Sequence, residues 1–357
     1  MTKVRNGENM IEHIQGETNV GSLRAGRGAL RGLGRELGRF VVTTMEIPWQ
    51  VTQPHLGAEP EAVLMVENME LEVIERQIAA APACDTVLAI GGGQAIDLGK
   101  YFSWKRGIRL VTVPTILSVD AFTTPAAGIR QGHRVVYLGQ ATPDPLVIDY
   151  DIIRTAPPEL NIAGVGDLLS IHTASFDWEI AHRAGRSEYP FAAEDIAAAR
   201  GIVRLLEDQV DEIRQCTDAG LWAIVEGCIR LNTICLPAGH FRVEEGSEHY
   251  LFYELEERLQ RPFTHGFIVG LGIRLMSRLQ GNRSAEVTAF MDEVGLRHQP
   301  SEMGITREAL TASLLNLRRY VEGRNDLWYT AINESSITPE WVEEALAGLS
   351  FASPGRT

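Results

Sequence analysis

From residue 40 onward, short apolar runs rich in β-branched residues alternate with stretches whose apolar positions recur every three or four residues. The runs at 40–44 (FVVTT), 62–66 (AVLMV), 86–90 (TVLAI) and 109–113 (RLVTV) predict strands, and the periodic stretches at 70–80 and 94–104 predict helices between them. That order is the pattern of a layered α/β domain with a largely parallel sheet and crossover helices. Residues 129–130 and 134–138 flank Gln131, Gly132 and His133 and predict a hairpin decorating the sheet; 143–149 (PDPLVID) predicts one more short strand. Beyond Pro157 and Pro158 strand-like alternation nearly disappears, and from Asn161 long helical periodicities take over, among them 193–210 and 221–236. The expected organisation is an α/β domain over 1–154 and an all-α domain over 155–357, with the cleft between them as the default ligand site.

Length and charge narrow the picture. A chain of 357 residues exceeds what one hydrophobic core usually serves. A net charge of -14 without a basic patch argues against a nucleic-acid partner. No uninterrupted apolar run approaches the roughly 18 residues of a spanning helix, and Lys3, Arg5, Glu8, Glu12 and Glu17 leave no room for an apolar export signal. The expectation is a cytoplasmic protein with no membrane partner. Arg24, Arg27, Arg31, Arg35 and Arg39 recur at helical spacing and read as the solvated face of a helix. Cys84, Cys216, Cys228 and Cys235 lack metal-site spacing and read as reduced; the last two, seven apart, read as small core residues on one helical face.

Gly91, Gly92 and Gly93 directly follow one predicted strand and precede a predicted helix. Glycines admit a phosphate close to the backbone, and the helix start supplies free N–H groups and a partial positive charge. The turn therefore reads as a pyrophosphate cradle, although it is not GxGxxG and equally suits a tight turn. Asp97 and Lys100 sit three apart on the following helix, so they can couple on one face. Thr115, Ser118 and Asp120 follow the next strand at its C-terminal end, where open α/β sheets bind ligands. Glu46 follows the strand at 40–44 and can accept hydrogen bonds from an adenosine ribose, which favours NAD over NADP, or stand as a solvated acid.

Asp167, His249 and His265 stand in distinctive neighbourhoods, GVGD, GSEH and THG. One carboxylate and two imidazoles can hold a divalent metal and leave a coordination position open. His172, His182 and His240 read as hydrogen-bonded structural residues.

Taken together, these segments resemble the superfamily of iron-containing alcohol dehydrogenases, glycerol dehydrogenases and 3-dehydroquinate synthases from about residue 30 to 270. The resemblance rests on GGGxxxDxxK at 91–100, PTxxSxDA at 114–121 and GxGD at 164–167. The run at 166–182, Arg242 and 246–249 look most like glycerol-1-phosphate dehydrogenases. The resemblance implies a dehydroquinate synthase-like fold, an α/β dinucleotide-binding domain followed by a helical domain. It also implies NAD or NADP as cofactor, one divalent metal on Asp167, His249 and His265 (zinc, with iron or nickel as alternatives), a small-molecule substrate and a homo-oligomer. Asp120 and Lys100 are the expected catalytic residues; Gly91, Gly92, Gly93, Asp97, Thr115, Ser118 and Glu46 the expected cofactor-binding ones. The implied reaction is hydride transfer between nicotinamide and a small polyol or hydroxyketone. A 3-dehydroquinate synthase-like cyclase is the alternative, but Asp167 stands where those enzymes carry glutamate and the nearby lysine is missing. Glu244 and Glu245 replace a less acidic pattern and Tyr253 stands where histidine is common. These departures lead to the expectation of an uncharged substrate over a phosphate ester.

Overall fold

The computed structural model describes residues 14–353, so Lys3, Arg5, Glu8 and Glu12 of the N-terminal reading lie outside the described residues. The chain forms two compact units, one of residues up to Asn161 together with Cys216–Pro237, the other of Ile162–Gln215 and the residues from Ala238 on. The segment 216–237, expected on the helical side of a boundary at 154, is thus part of the α/β unit.

In the first unit the elements run β1 (Leu23–Gly26), β2 (Phe40–Thr44), α1 (Glu46–Leu56), β3 (Ala62–Met65), α2 (Leu71–Ala80), β4 (Thr86–Gly91), α3 (Gly93–Arg106), β5 (Arg109–Pro114), β6 (Ala127–Gln131), β7 (Arg134–Leu138), β8 (Pro143–Asp149) and α4 (Tyr150–Ile153). Six strands form one parallel sheet in the order β1-β8-β5-β4-β2-β3. Strands β2, β4 and nearly all of β5 are buried, which is why they read as continuous apolar runs. On one face Phe40, Val42, Leu88, Ile90, Val111, Val113 and Val147 pack against Leu30, Leu33, Leu37 and Leu56, the period-two pattern of one side of a sheet. The winding runs outward from β2 to β3 and the other way from β4 to β5. The C-terminal ends of the neighbours β2 and β4 therefore form the switch point at which such sheets bind ligands. Strands β6 and β7 make a separate antiparallel hairpin, turning at Gly132 and His133 with φ of 61° and 64°, the two positive values of a type I′ turn.

The arginine series is not a helix face. Arg24 lies in β1 and pairs with Glu36 of a short 3-10 turn, Arg27 pairs with Asp218, and Arg39 pairs with Asp85. Helical spacing arises here by coincidence, across a strand, a turn and a loop.

The chain continues through α5 (Pro158–Leu169), α6 (Ile171–Arg183), α7 (Ala193–Asp208), α8 (Val210–Arg214), α9 (Asp218–Ala238), α10 (Ser247–Leu259), α11 (His265–Gln280), α12 (Ser284–Val294), α13 (Arg307–Glu322), α14 (Ala331–Glu334) and α15 (Pro339–Ala345). Helix α9 is long and apolar enough to cross a bilayer, but 67% of its most apolar window is buried within the protein, and Cys228 and Cys235 are both buried on it. It is tied into the first unit by Asp218, which pairs with Arg27 and Arg154, and by Asn232, whose Oδ1 accepts from the Asn19 N–H at 3.1 Å.

In the second unit α5, α10 and α11 meet almost backbone to backbone. A Cβ on Gly166 would lie 2.1 Å from the Gly266 carbonyl oxygen, one on Gly266 1.6 Å from the Ala163 oxygen, and one on Gly272 2.5 Å from the Glu248 oxygen. Only glycine permits that approach.

Candidate active site

Close helix approach has a chemical consequence, because Asp167 follows Gly166 on α5, His265 precedes Gly266 on α11, and His249 lies on α10, packed over Gly272. His265 Nε2 is 2.9 Å and His249 Nε2 3.8 Å from Asp167 Oδ1, and the two Nε2 atoms are 3.2 Å apart. Donors about 2.0–2.2 Å from a tetrahedral metal stand roughly 3.3–3.5 Å from one another, so these separations suit a shared ion. Asp167 and His249 side chains are 3% and 6% exposed and His265 17%, so the cluster is buried but open on the His265 side.

Charge agrees with geometry. Burial opposes ionisation of Asp167, yet the charge of His265 and hydrogen bonds from both imidazoles hold its carboxyl well below the usual range. Burial would lower His249, but hydrogen bonds to Asp167 and Glu248, with the charges of Glu248 and Glu245, hold it at about 10. Surroundings that keep a proton on a buried imidazole are the surroundings that retain a cation in its place.

Two further carboxylates stand behind the cluster. Glu248, fully buried, accepts from His249 Nδ1 at 2.9 Å and from the Gly246 N–H at 2.7 Å. Asp177 on α6, also fully buried, accepts from the N–H groups of Ser247 and Ala331, each at 2.8 Å. Burial, reinforced by the charge of Glu248, pushes its carboxyl up to about 6. Sequence reading missed both. Adjacent side chains on a helix ordinarily diverge, so Glu248 next to His249 gave no signal, and nothing in spacing links Asp177 to residues 70 positions away. The acids expected near the substrate are not simply solvated. Glu244 is 6% exposed, and Glu245 accepts from the Tyr253 hydroxyl at 2.5 Å. Arg242 is fully buried, donates to the Tyr329 carbonyl and lies over the Trp328 ring. His172 bonds the Asn282 carbonyl, His182 stacks on Phe191, and His240 accepts from the Arg242 N–H.

The first unit holds the glycine turn. Gly91 ends β4 with φ 145°, and Gly92 caps α3, whose start has no side-chain cap and no acid in its first turn. A helix start of this kind can receive an anion. Sheet register sets Gly91 beside Pro114, and the Thr115 N–H donates to the Gly91 carbonyl at 3.0 Å, so the glycines and the segment carrying Thr115, Ser118 and Asp120 lie side by side. A Cβ on Gly92 or Gly93 would meet Ile116 or Val119 of that segment at 2.7 Å. Glu46 opens α1 after β2, exposed, and accepts from Gln50. Lys100, expected among the catalytic residues, is 2% exposed; its Nζ bonds Asp97 at 2.8 Å, the Ala126 carbonyl at 2.6 Å and Thr124 at 3.3 Å. That ammonium fastens the loop before the hairpin to α3.

Residues 43–157 match the family described as iron-containing alcohol dehydrogenase. A glycerol-1-phosphate dehydrogenase [NAD(P)+] of Aeropyrum pernix is 29% identical over 79% of this chain and 76% of its own. One from Halorubrum lacusprofundi is 27% identical over 87% and 92%. The crystal structure of a probable glycerol dehydrogenase from Sinorhizobium meliloti 1021 superposes with a TM-score of 0.69 at 23% identity, over 92% of this chain and 95% of that one. With the fold and motifs above, the chain is similar to the iron-containing alcohol dehydrogenases in its α/β part and shares its overall fold with a glycerol dehydrogenase-type structure. The similarity to glycerol-1-phosphate dehydrogenases extends over most of the chain.

Proposed function

We propose that the chain is a metal-dependent, NAD(P)-linked dehydrogenase of a small polyol or hydroxyketone. The observation that carries this reading is the convergence of Asp167, His249 and His265 around one point. A bound divalent ion would supply Lewis acidity to the substrate oxygen, and the nicotinamide would take or give the hydride. Two imidazoles and a carboxylate suit a borderline metal, and zinc is the proposed one, with iron and nickel as alternatives.

The chain's residues supply the rest. Gly91, Gly92 and Gly93, with the N–H groups of α3, receive the pyrophosphate, flanked by Thr115 and Ser118, while Asp97 is held by Lys100. Asp120 orients substrate or cofactor, and Glu46, at the switch point, accepts from the adenosine ribose and favours NAD. Lys100 serves by holding the loop at 124–126 rather than by touching substrate. The active form is proposed to be a cytoplasmic homo-oligomer.

The substrate is proposed to be uncharged. Glu245 and Glu248 both act on His249, and with Asp167 they make the surroundings of the cluster acidic; an added phosphate would meet like charge where water screens poorly. The test is to strip the full chain of metal, reload it with zinc, iron or nickel, and compare kcat/KM for glycerol and dihydroxyacetone with their phosphate esters, using NAD and NADP. Net nicotinamide turnover is expected, which a cyclase would not give, with higher kcat/KM for the unphosphorylated compounds; preference for the esters overturns the charge argument. His265→Ala is expected to lose metal and activity together, by more than the about 10- to 100-fold that losing a supporting contact costs. Full activity without metal overturns the reading.

A further inference from the structure

We propose that Glu248 is a positioning residue for the metal, turning the Nε2 lone pair of His249 toward Asp167 and His265; this rests on the metal-site reading above. Neighbouring side chains on a helix point about 100° apart and do not ordinarily meet. Glu248 escapes that rule because it lies in the first turn of α10, where its side chain folds back over the helix start and Oε1 accepts from the Gly246 N–H at 2.7 Å. The same oxygen stands 2.9 Å from His249 Nδ1. A carboxylate only accepts, so Nδ1 keeps its proton and Nε2 is the atom left to face Asp167 and His265.

The surroundings leave this contact little freedom. Behind the helix start, Asp177 accepts from the Ser247 N–H at 2.8 Å, and a Cβ on Gly246 would lie 2.7 Å from Asp177 Oδ2. Beneath Glu248, Gly272 admits its backbone so closely that a Cβ there would stand 2.5 Å from the Glu248 oxygen. The other carboxylate oxygen, Oε2, is buried without a hydrogen-bond partner among the described residues. Burying a carboxylate so incompletely satisfied is costly, and the arrangement makes sense where neighbouring positive charge compensates it. An imidazole whose far nitrogen holds a cation is such a neighbour, and the carboxylate in turn strengthens that nitrogen as a donor.

A purely structural role, capping the start of α10, makes a different prediction. Glu248→Gln keeps an acceptor for the Gly246 N–H and nearly the same volume while removing the charge. We would titrate the metal-free full chain with cobalt(II) against a competing chelator, read affinity and visible absorption, and follow metal-free stability by urea unfolding. The expected result for Glu248→Gln is a 10- to 100-fold loss of cobalt affinity (about the range for supporting partners of metal-bound histidine) with a changed spectrum, in a variant that still unfolds cooperatively without metal. Wild-type affinity and spectrum in this variant overturn the proposal and leave the metal site standing. Failure of the wild-type chain to bind cobalt or zinc ends both. Should the Gln variant not fold, Glu248→Asp, which keeps the charge but withdraws it from Nδ1, is expected to lose at least about tenfold; unchanged affinity there overturns the proposal equally.

Discussion

His249 and Asp167 are displaced in opposite directions against the effect of burial, the carboxyl down through the charge of His265 and hydrogen bonds from both imidazoles, the imidazole up to about 10 through hydrogen bonds to Asp167 and Glu248. A raised imidazole contributes stability that is complete below its unfolded value of about 6.5 and disappears as pH climbs through its folded value. A depressed carboxyl contributes above its unfolded value and loses that contribution only as pH falls through its folded one. The metal-free chain is therefore expected to lose stability between about pH 7 and pH 10, while zinc, replacing the proton, removes that loss. Asp177, raised to about 6, has largely finished titrating below this window. Urea midpoints across the range, with chelator and with zinc, measure it, and a flat metal-free profile would show that the pair is not coupled as its geometry requires.

At the scale of elements, the turn between β4 and α3 separates two uses of glycine. Gly91, with φ 145° and its Cβ position 2.8 Å from the Ala95 Cβ, is there for the fold, and a side chain would strain it. Gly92 has φ -88° and ψ -170°, open to any residue, and its Cβ would meet the Ile116 side chain, 2.7 Å from Cδ1 and 3.0 Å from Cγ1. Gly92→Val is therefore expected to stay folded at a cost of about 1–3 kcal/mol while NAD binding weakens at least tenfold, as about 1.4 kcal/mol of obstruction would cause; calorimetric titration with NAD decides, and unchanged affinity would reduce the turn to a fold feature. The same comparison shows what the sequence made legible. Buried parallel strands announced themselves as apolar runs, and the hairpin by Gly132 beside His133. Strand β1 did not, since its four half-buried residues, LRAG, carry no alternation and its arginine mimicked a helical series. GVGD, GSEH and THG pointed to the cluster, but the reason for their glycines, contact between helix backbones, exists only between segments distant in sequence.

For the molecule as a whole, the informative feature is that the chain leaves its α/β unit after Asn161 and returns to it with Cys216–Pro237. Helix α9 brings Leu221, Ile224, Ile229 and Leu231 at no more than 1% exposure. Each such side chain contributes about 1.5–3 kcal/mol, and four rival the roughly 5–15 kcal/mol that holds a protein folded. A fragment ending at Asn161 is therefore expected to unfold without a cooperative transition, and one in which a flexible linker joins 216–237 to it is expected to regain one; a sharp transition in the shorter fragment would show α9 to be dispensable. During synthesis the same connectivity sets an order. The strands between Leu23 and Asp149 leave the ribosome while helix α9 is still to be decoded, and at about 5–20 residues per second the stretch from 162 to 237 takes roughly 4 to 15 seconds. For that interval the nascent α/β unit stays unfinished, with apolar surface that α9 has yet to cover. What is translated early is completed late, so a chaperone that shields apolar surface is expected to raise the yield of folded chain.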